Sequence, residues 1–300
     1  MKIENVVVLG GGSAGFMAAV TLKRKLPQLR VRVIRSPDIG VIGVGEGTST
    51  SFLSHFFDYL KLKPKQFYEE AQPTWKLGIR FLWGGARSEF HYSFATEYQN
   101  RYEGLSRNNG FFASGDVPCM GYGSALMAQQ KAFPRRPDGQ LQFHNSHAFH
   151  IENVKLIKWL ENLARQFGVE ITDATVTPER GPQGIAALVT EAGERITADL
   201  FVDASGFRSE LLDRTLKTPF VSYADTLFCD RAVIGGWARS DEVIQPYTTA
   251  ETMDAGWCWR IDHEHFINRA MSIPRVSSAT TRLGRNFSGK IRTSPASRAS

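Results

Sequence analysis

The sequence predicts an α/β fold that opens on a Rossmann-like βαβ unit, and three observations predict it. Val6-Val7-Val8-Leu9 is a β-branched run, Gly10-Gly11-Gly12-Ser13-Ala14-Gly15 follows at once, and Phe16 to Leu22 reads as a helix that ends before Pro27 and returns to Val31-Arg32-Val33-Ile34. A short apolar run suits a parallel strand covered on both faces. Strand, helix and strand within residues 3 to 35 make one crossover unit. The glycine spacing is G-x-G-x-x-G, and each glycine has its own duty. The first allows a tight turn, the second lets a pyrophosphate approach the backbone, and the third lets helix and strand pack closely. Free N–H groups and the positive end of the helix dipole then meet the phosphates. The acidic residue expected to grip a ribose at the end of the second strand is absent. Arg35 stands there instead, and it fits a 2′-phosphate contact or a place beside an adenine.

Composition narrows the class. With 300 residues, 42% of them apolar, the chain can bury a sizeable core as one large or two moderate domains. Cys119, Cys229 and Cys258 are odd in number and far apart, which excludes a disulfide scaffold and suits a reducing cytoplasm. Asn5 to Leu22 is uncharged, but Gly10, Gly11, Gly12 and Gly15 interrupt it, so neither a membrane span nor a signal peptide is expected. The net charge of +6 comes from the end of the chain: residues 270–300 hold six basic side chains and no acidic one, leaving 30 of each sign before them. That distribution speaks against a nucleic-acid partner.

Further along, Ser36 to Gly47 is a glycine-rich loop, and Thr48 to Leu60 resembles a helix with Phe52, Phe56 and Phe57 on one face. Residues 72–150 are rich in aromatics and glycine without helical period, and read as an inserted β-rich or irregular excursion walling a substrate cavity. From Asn153 to Phe167 a helical face returns with Leu156, Leu160 and Leu163, and Gly168 is its stop. Strands are expected over 169–172, 185–190, 195–197 and 200–202, the last running into Asp203-Ala204-Ser205-Gly206. His144, His147 and His150 are spaced by three and His263 and His265 by two, but no cysteine or carboxylate cluster completes a tetrahedral set, so no metal is expected. Ser205 lies outside any G-x-S-x-G elbow.

Four co-linear segments carry a resemblance. Gly43-Val44-Gly45-Glu46-Gly47-Thr48, Gln72-Pro73-Thr74-Trp75-Lys76-Leu77-Gly78, Asp199 to Arg208, and Gly256-Trp257-Cys258-Trp259-Arg260-Ile261 resemble, in order, segments of the flavin-dependent tryptophan halogenases, with Asp262 where that family's last signature has proline. The resemblance implies an FAD-binding Rossmann-like fold of the glutathione reductase/flavin monooxygenase type. It implies FAD reduced by a separate flavin reductase, halide and O2 as co-substrates, and a small aromatic substrate, free or carrier-bound. A homodimer is left open. By the same resemblance Gly10, Gly11, Gly12, Ser13, Ala14 and Gly15 cradle the pyrophosphate, Ser36, Ile39, Gly45, Glu46 and Gly47 close over the flavin, Val176 and Asp203 complete the cofactor contacts, and Lys76 is the catalytic lysine. Read from residues alone, Trp75-Lys76-Leu77 fits a half-buried strand with the ammonium in water. Apolar neighbours Trp75, Leu77 and Ile79 would, if they enclosed it, desolvate and activate the amine. Trp257 and Trp259, at period two, fit core positions or a packing role beside the flavin.

After Arg269 the character changes, with ten Ser or Thr among the last 31 residues. Residues 1–269 are expected to form an incomplete FAD-binding domain, and 270–300 a disordered, non-native tail produced by a one-base deletion near the codon of Arg269. Halogenation by the shortened chain is expected to be impaired. Two other readings stay open, a flavin hydroxylase favoured by Arg35 and Asp262, and a non-catalytic flavin-binding remnant favoured by the tail.

Overall fold

The computed structural model describes residues 2–40, 43–83, 89–95, 121–143, 146–254 and 256–274. His144, Phe111, Phe112, Cys119 and residues 275–300 lie outside them. The single domain expected over 1–269 is instead two compact units, each assembled from three stretches of chain.

The first unit comprises 1–43, 56–72 and 153–222. Its centre is a four-stranded parallel sheet in the order Leu200–Asp203, Asn5–Leu9, Arg30–Arg35, Glu170–Asp173. Val6, Val7, Val8, Val33 and Ile34 are buried in it, as expected of strands covered on both sides. Helix Ser13–Lys25 makes the crossover, and helix Asn153–Gln166 buries Leu156, Leu160 and Leu163. Trp159 is buried as well, with Phe56 and Phe67 set edge-on to it at 5.3 and 4.9 Å. Gly168 ends that helix at φ +78°, the left-handed conformation that closes a Schellman turn. A three-stranded antiparallel sheet, Arg195–Ile196, Gly184–Thr190 and Val176–Gly181, completes the unit.

The second unit comprises 44–55, 73–152 and 223–300. Its larger sheet has six strands in the order Cys229–Ala238, Phe266–Pro274, Gly256–Asp262, Thr248–Met253, Gly78–Leu82, Phe90–Ser93; only Thr248–Met253 and Gly78–Leu82 are parallel. Its smaller sheet is antiparallel, with Ala148–Ile151 between Glu46–Gly47 and Thr74–Lys76. The β-rich character expected of 72–150 holds for its described strands, joined by one unexpected helix, Tyr122–Ala128. The boundary expected after Arg269 falls inside a strand. Ala270, Met271 and Ile273 are buried, and Phe266–Pro274 is hydrogen-bonded to strands on both sides. The Ser/Thr-rich composition masked this, because an interior strand draws its order from its neighbours more than from its own residues.

Candidate cofactor cradle and lysine site

In the first unit, chain-distant residues meet at one edge of the parallel sheet. Gly10, Ser36, Ala174 and Ala204 each follow the carboxyl end of one of its four strands, the edge at which open α/β sheets take ligands. The glycines divide as their spacing predicts. Gly10 sits at φ +125°, and a Cβ there would lie 2.1 Å from the Ala204 carbonyl oxygen. A Cβ on Gly15 would lie 1.8 Å from the Gly10 carbonyl oxygen, so the helix packs on the turn without room for a methyl group. Gly12 differs: a Cβ there would meet nothing within 4 Å, so protein packing gives it no reason to be glycine. It is the N-cap of helix Ser13–Lys25, without a side-chain cap and with no acidic residue in the first turn. The amides of that turn are thus open to an anion, which fits a pyrophosphate.

Ser36 Oγ meets Thr175 Oγ1 at 2.8 Å and accepts from the Asp38 amide, tying the loop to the approach of strand Val176–Gly181. Ile39 is half exposed, and Val176 packs at the edge of the core formed by Val7, Leu9, Ile34 and Leu188. Two expectations change. Arg35 lays its stem over Gly11 and gives its guanidinium to Asp173 at 2.5 Å and Glu161 at 2.7 Å, so it is committed to carboxylates and not free for a 2′-phosphate or an adenine. Asp203 accepts from Ser205 N and Oγ through one oxygen, and from the amides of Leu211 and Leu212 through the other. These fill the acceptor positions of a carboxylate. Burial pushes its pKa up, but those hydrogen bonds outweigh burial and hold it below the usual value. Its side chain therefore holds the turn after the strand. Asp203→Ala, which strands four donors, is expected to cost about 3 kcal/mol in urea unfolding; a loss below about 1 kcal/mol would contradict that role.

In the second unit, Lys76 is 5% exposed. The strand alternates as the sequence suggests, but its lysine face is covered. Trp75 points to an aromatic cluster, paired with Phe149 and edge-on to Phe133 at 4.8 Å, with His147 behind Phe149. On the opposite face Lys76 lies across from Ala148, and Thr74 across from His150, which is also paired with Gly47. Directly opposed residues share a face, so the small Ala148 lets the lysine cross the central strand. Its Nζ comes within 3.1 Å of where a Cβ of Gly47 would stand, and it donates to the Thr48 carbonyl at 3.1 Å. The Phe94 ring centroid is 5.3 Å away. Among the described residues no carboxylate pairs with it, and burial pushes its pKa down to about 8.

Gly45, buried at φ +73°, backs onto His263 and Asn268, and Glu46 is paired with Ile151. His147 and His150 point to opposite faces, His263 is buried and His265 exposed, and among the described residues no three His, Cys, Asp or Glu gather. Trp257 and Trp259 are half-buried side by side with ring centroids 5.1 Å apart, not in the core, while Cys258 between them is buried. Asp262 is buried and held by Arg260 at 2.7 Å. Ala148, His150 and Thr248 are parts of the lysine site that sequence reasoning missed. The one available signal was a histidine inside the apolar run Ala148-Phe149-His150-Ile151.

Proteins of one family resemble this chain. The tryptophan halogenase family model matches residues 5–298. The tryptophan 6-halogenase ThaL of Streptomyces albogriseolus is 32% identical, over 87% of this chain and 54% of its own. The tryptophan 7-halogenase RebH of Lentzea aerocolonigenes is 28% identical, over 87% and 53%. Among solved structures, the tryptophan 5-halogenase MibH superposes with a TM-score of 0.86 at 35% identity, covering 97% of this chain and 56% of that one. The chain thus spans about half the length of the curated relatives it matches.

Proposed function

Because the chain belongs to the tryptophan halogenase family, we propose that it carries the cofactor cradle and the working lysine of an FAD-dependent halogenation of an aromatic substrate, an indole or a phenol. Reduced flavin comes from a separate reductase, and O2 and halide are co-substrates. The observation that carries this reading is the buried amine of Lys76, which meets no carboxylate among the described residues.

When bound, FAD supplies the oxidised halogen, as hypohalous acid formed from O2 and halide. The chain's own residues do the rest. The amides following Gly12 hold the pyrophosphate, and the bare backbone at Gly47 leaves room for Nζ. As an ammonium, Lys76 donates a hydrogen bond to the oxygen of hypohalous acid and draws electron density from the halogen. A ring carbon forms the carbon–halogen bond while the oxygen–halogen bond breaks, and the departing hydroxide takes a proton from Lys76 to leave as water. The resulting amine accepts the ring proton and is an ammonium again. A group that ionises at about 8 can serve in both directions near neutral pH.

With FAD, a flavin reductase, NADH, bromide or chloride, and tryptophan, indole or phenol, the expected product carries halogen in place of hydrogen. It is absent without halide and absent with Lys76→Ala. An oxygen-added product, with NADPH oxidised in the absence of any reductase, would replace this reading by a hydroxylase.

A further inference from the structure

Lys76 does not meet its slot alone. From the position a Cβ of Gly47 would take, Lys76 Nζ is 3.1 Å away, Thr248 Oγ1 3.5 Å and His150 Cδ2 3.7 Å. Three side chains from three strands therefore converge on the space that one missing side chain leaves. His150 Nε2 and Thr248 Oγ1 form a hydrogen bond of 2.8 Å. His150 is fully buried, and its Nδ1 meets no partner in hydrogen-bond geometry.

Resting on the lysine assignment above, we propose that His150 and Thr248 are a positioning pair for Lys76: the imidazole accepts a hydrogen bond from the Thr248 hydroxyl, so that the hydroxyl's oxygen, and not its hydrogen, faces the ammonium. Two physical reasons support this. First, burial, then the charge of Lys76, then His263 hold His150 well below its ordinary pKa, so it carries one ring proton. Second, the Asp262 backbone carbonyl acts on His150 in the opposite sense, favouring a ring proton, and it is the weakest of these influences. If Nδ1 holds the proton towards that carbonyl, Nε2 is a lone pair and the 2.8 Å contact must be donated by the threonine. The opposite tautomer buries a bare Nδ1 lone pair and turns the hydroxyl hydrogen towards a cation. The backbone supports the arrangement. Thr248 is paired with Ile79 in the strand continuing from Lys76, and His150 is held between Gly47 and Thr74. Besides Lys76, the titratable group acting on His150 is His263; Asp262 acts through its backbone carbonyl, its carboxylate being paired with Arg260.

The test is a titration of Lys76 that needs no turnover. Protein labelled with 13C at lysine Cε is followed by NMR over pH 6 to 11, and the Lys76 signal is assigned by its loss in Lys76→Met. Thr248→Val keeps the shape and removes the oxygen; its Lys76 midpoint is expected to fall by roughly 0.5 to 1 pH unit, since a dipole that favours the ammonium has gone. Thr248→Ser, which restores the hydroxyl, is expected to return the midpoint to that of the unmodified chain. His150→Phe, which frees the hydroxyl to turn, is expected to lower it as well. Unchanged midpoints in Thr248→Val and His150→Phe would overturn the pair. If the valine variant does not fold, Thr248→Ala against Thr248→Ser decides the same question. A missing halogenated product with these shifts intact would count against the proposed function and leave the pair standing.

Discussion

Gly12→Val is expected to weaken FAD binding roughly a hundredfold, about 3 kcal/mol, while changing the stability of the unliganded chain by less than about 1 kcal/mol. Both halves follow from one geometric fact. The backbone at Gly12 is extended, at φ −85° and ψ −173°, so a β-branched residue fits it. Its side chain would project into space that no protein atom occupies within 4 Å. A pyrophosphate drawn to the helix N-terminus needs that space, so the valine collides with ligand and not with protein. Gly15→Val is the internal contrast. Its Cβ would stand 1.8 Å from the Gly10 oxygen, and neither the turn nor the helix can retreat without giving up the sheet's edge. That variant is expected to lose more than about 3 kcal/mol and to bind no FAD because it does not fold. Flavin fluorescence titrations paired with urea unfolding separate the two. Unaltered FAD affinity in a folded Gly12→Val would remove the phosphate cradle from this helix.

Lys76→Met is expected to abolish halogenated product and, at pH 7, to make the chain more stable by about 2 kcal/mol. An ammonium without a carboxylate partner among the described residues is held in a buried slot, and burial lowers its pKa from 10.5 to about 8. The cost of that charge is on the order of 3 kcal/mol, and the Thr48 carbonyl and Phe94 ring, lost in the variant, offset part of it. The sign with pH is specific. Below about 8 the folded and unfolded chains both carry the proton, and the penalty is complete. Between about 8 and 10.5 the unfolded chain binds more of this proton than the folded one, so the stability of the unmodified chain rises with pH through that window. Lys76→Met lacks the rise, so the gap between the two proteins closes as pH approaches 10.5. Other lysines and tyrosines titrate alike in both and cancel in the difference. Equal stability at pH 7 and parallel pH curves would mean that the amine is solvated. A residue kept at such a cost marks chemistry and not architecture.

Local sequence decided much of this molecule. The glycine loop with its flanking strands and the helix stop at Gly168 could be read directly, because turn conformation and apolar period are properties of a few adjacent residues. Even the separate duties of Gly10, Gly12 and Gly15 follow from spacing. The same locality misled at Arg35. Its place in the chain suggested a ligand, but Asp173 and Glu161 reach it across more than a hundred residues and neutralise it first. The tail boundary failed for a related reason: composition cannot report that residues 270–274 lie between two hydrogen-bonding strands.

The lysine site is the sharper case. From its neighbours alone Lys76 fits an amine in water as well as an amine in a slot, because alternation fixes only which face it takes. Whether that face is covered depends on Gly47, Ala148, His150 and Thr248, which three other strands bring to it. Burial, and with it the shifted proton affinity, is a property of the space those strands enclose. No stretch of adjacent residues encodes it, since desolvation is summed over everything nearby in three dimensions.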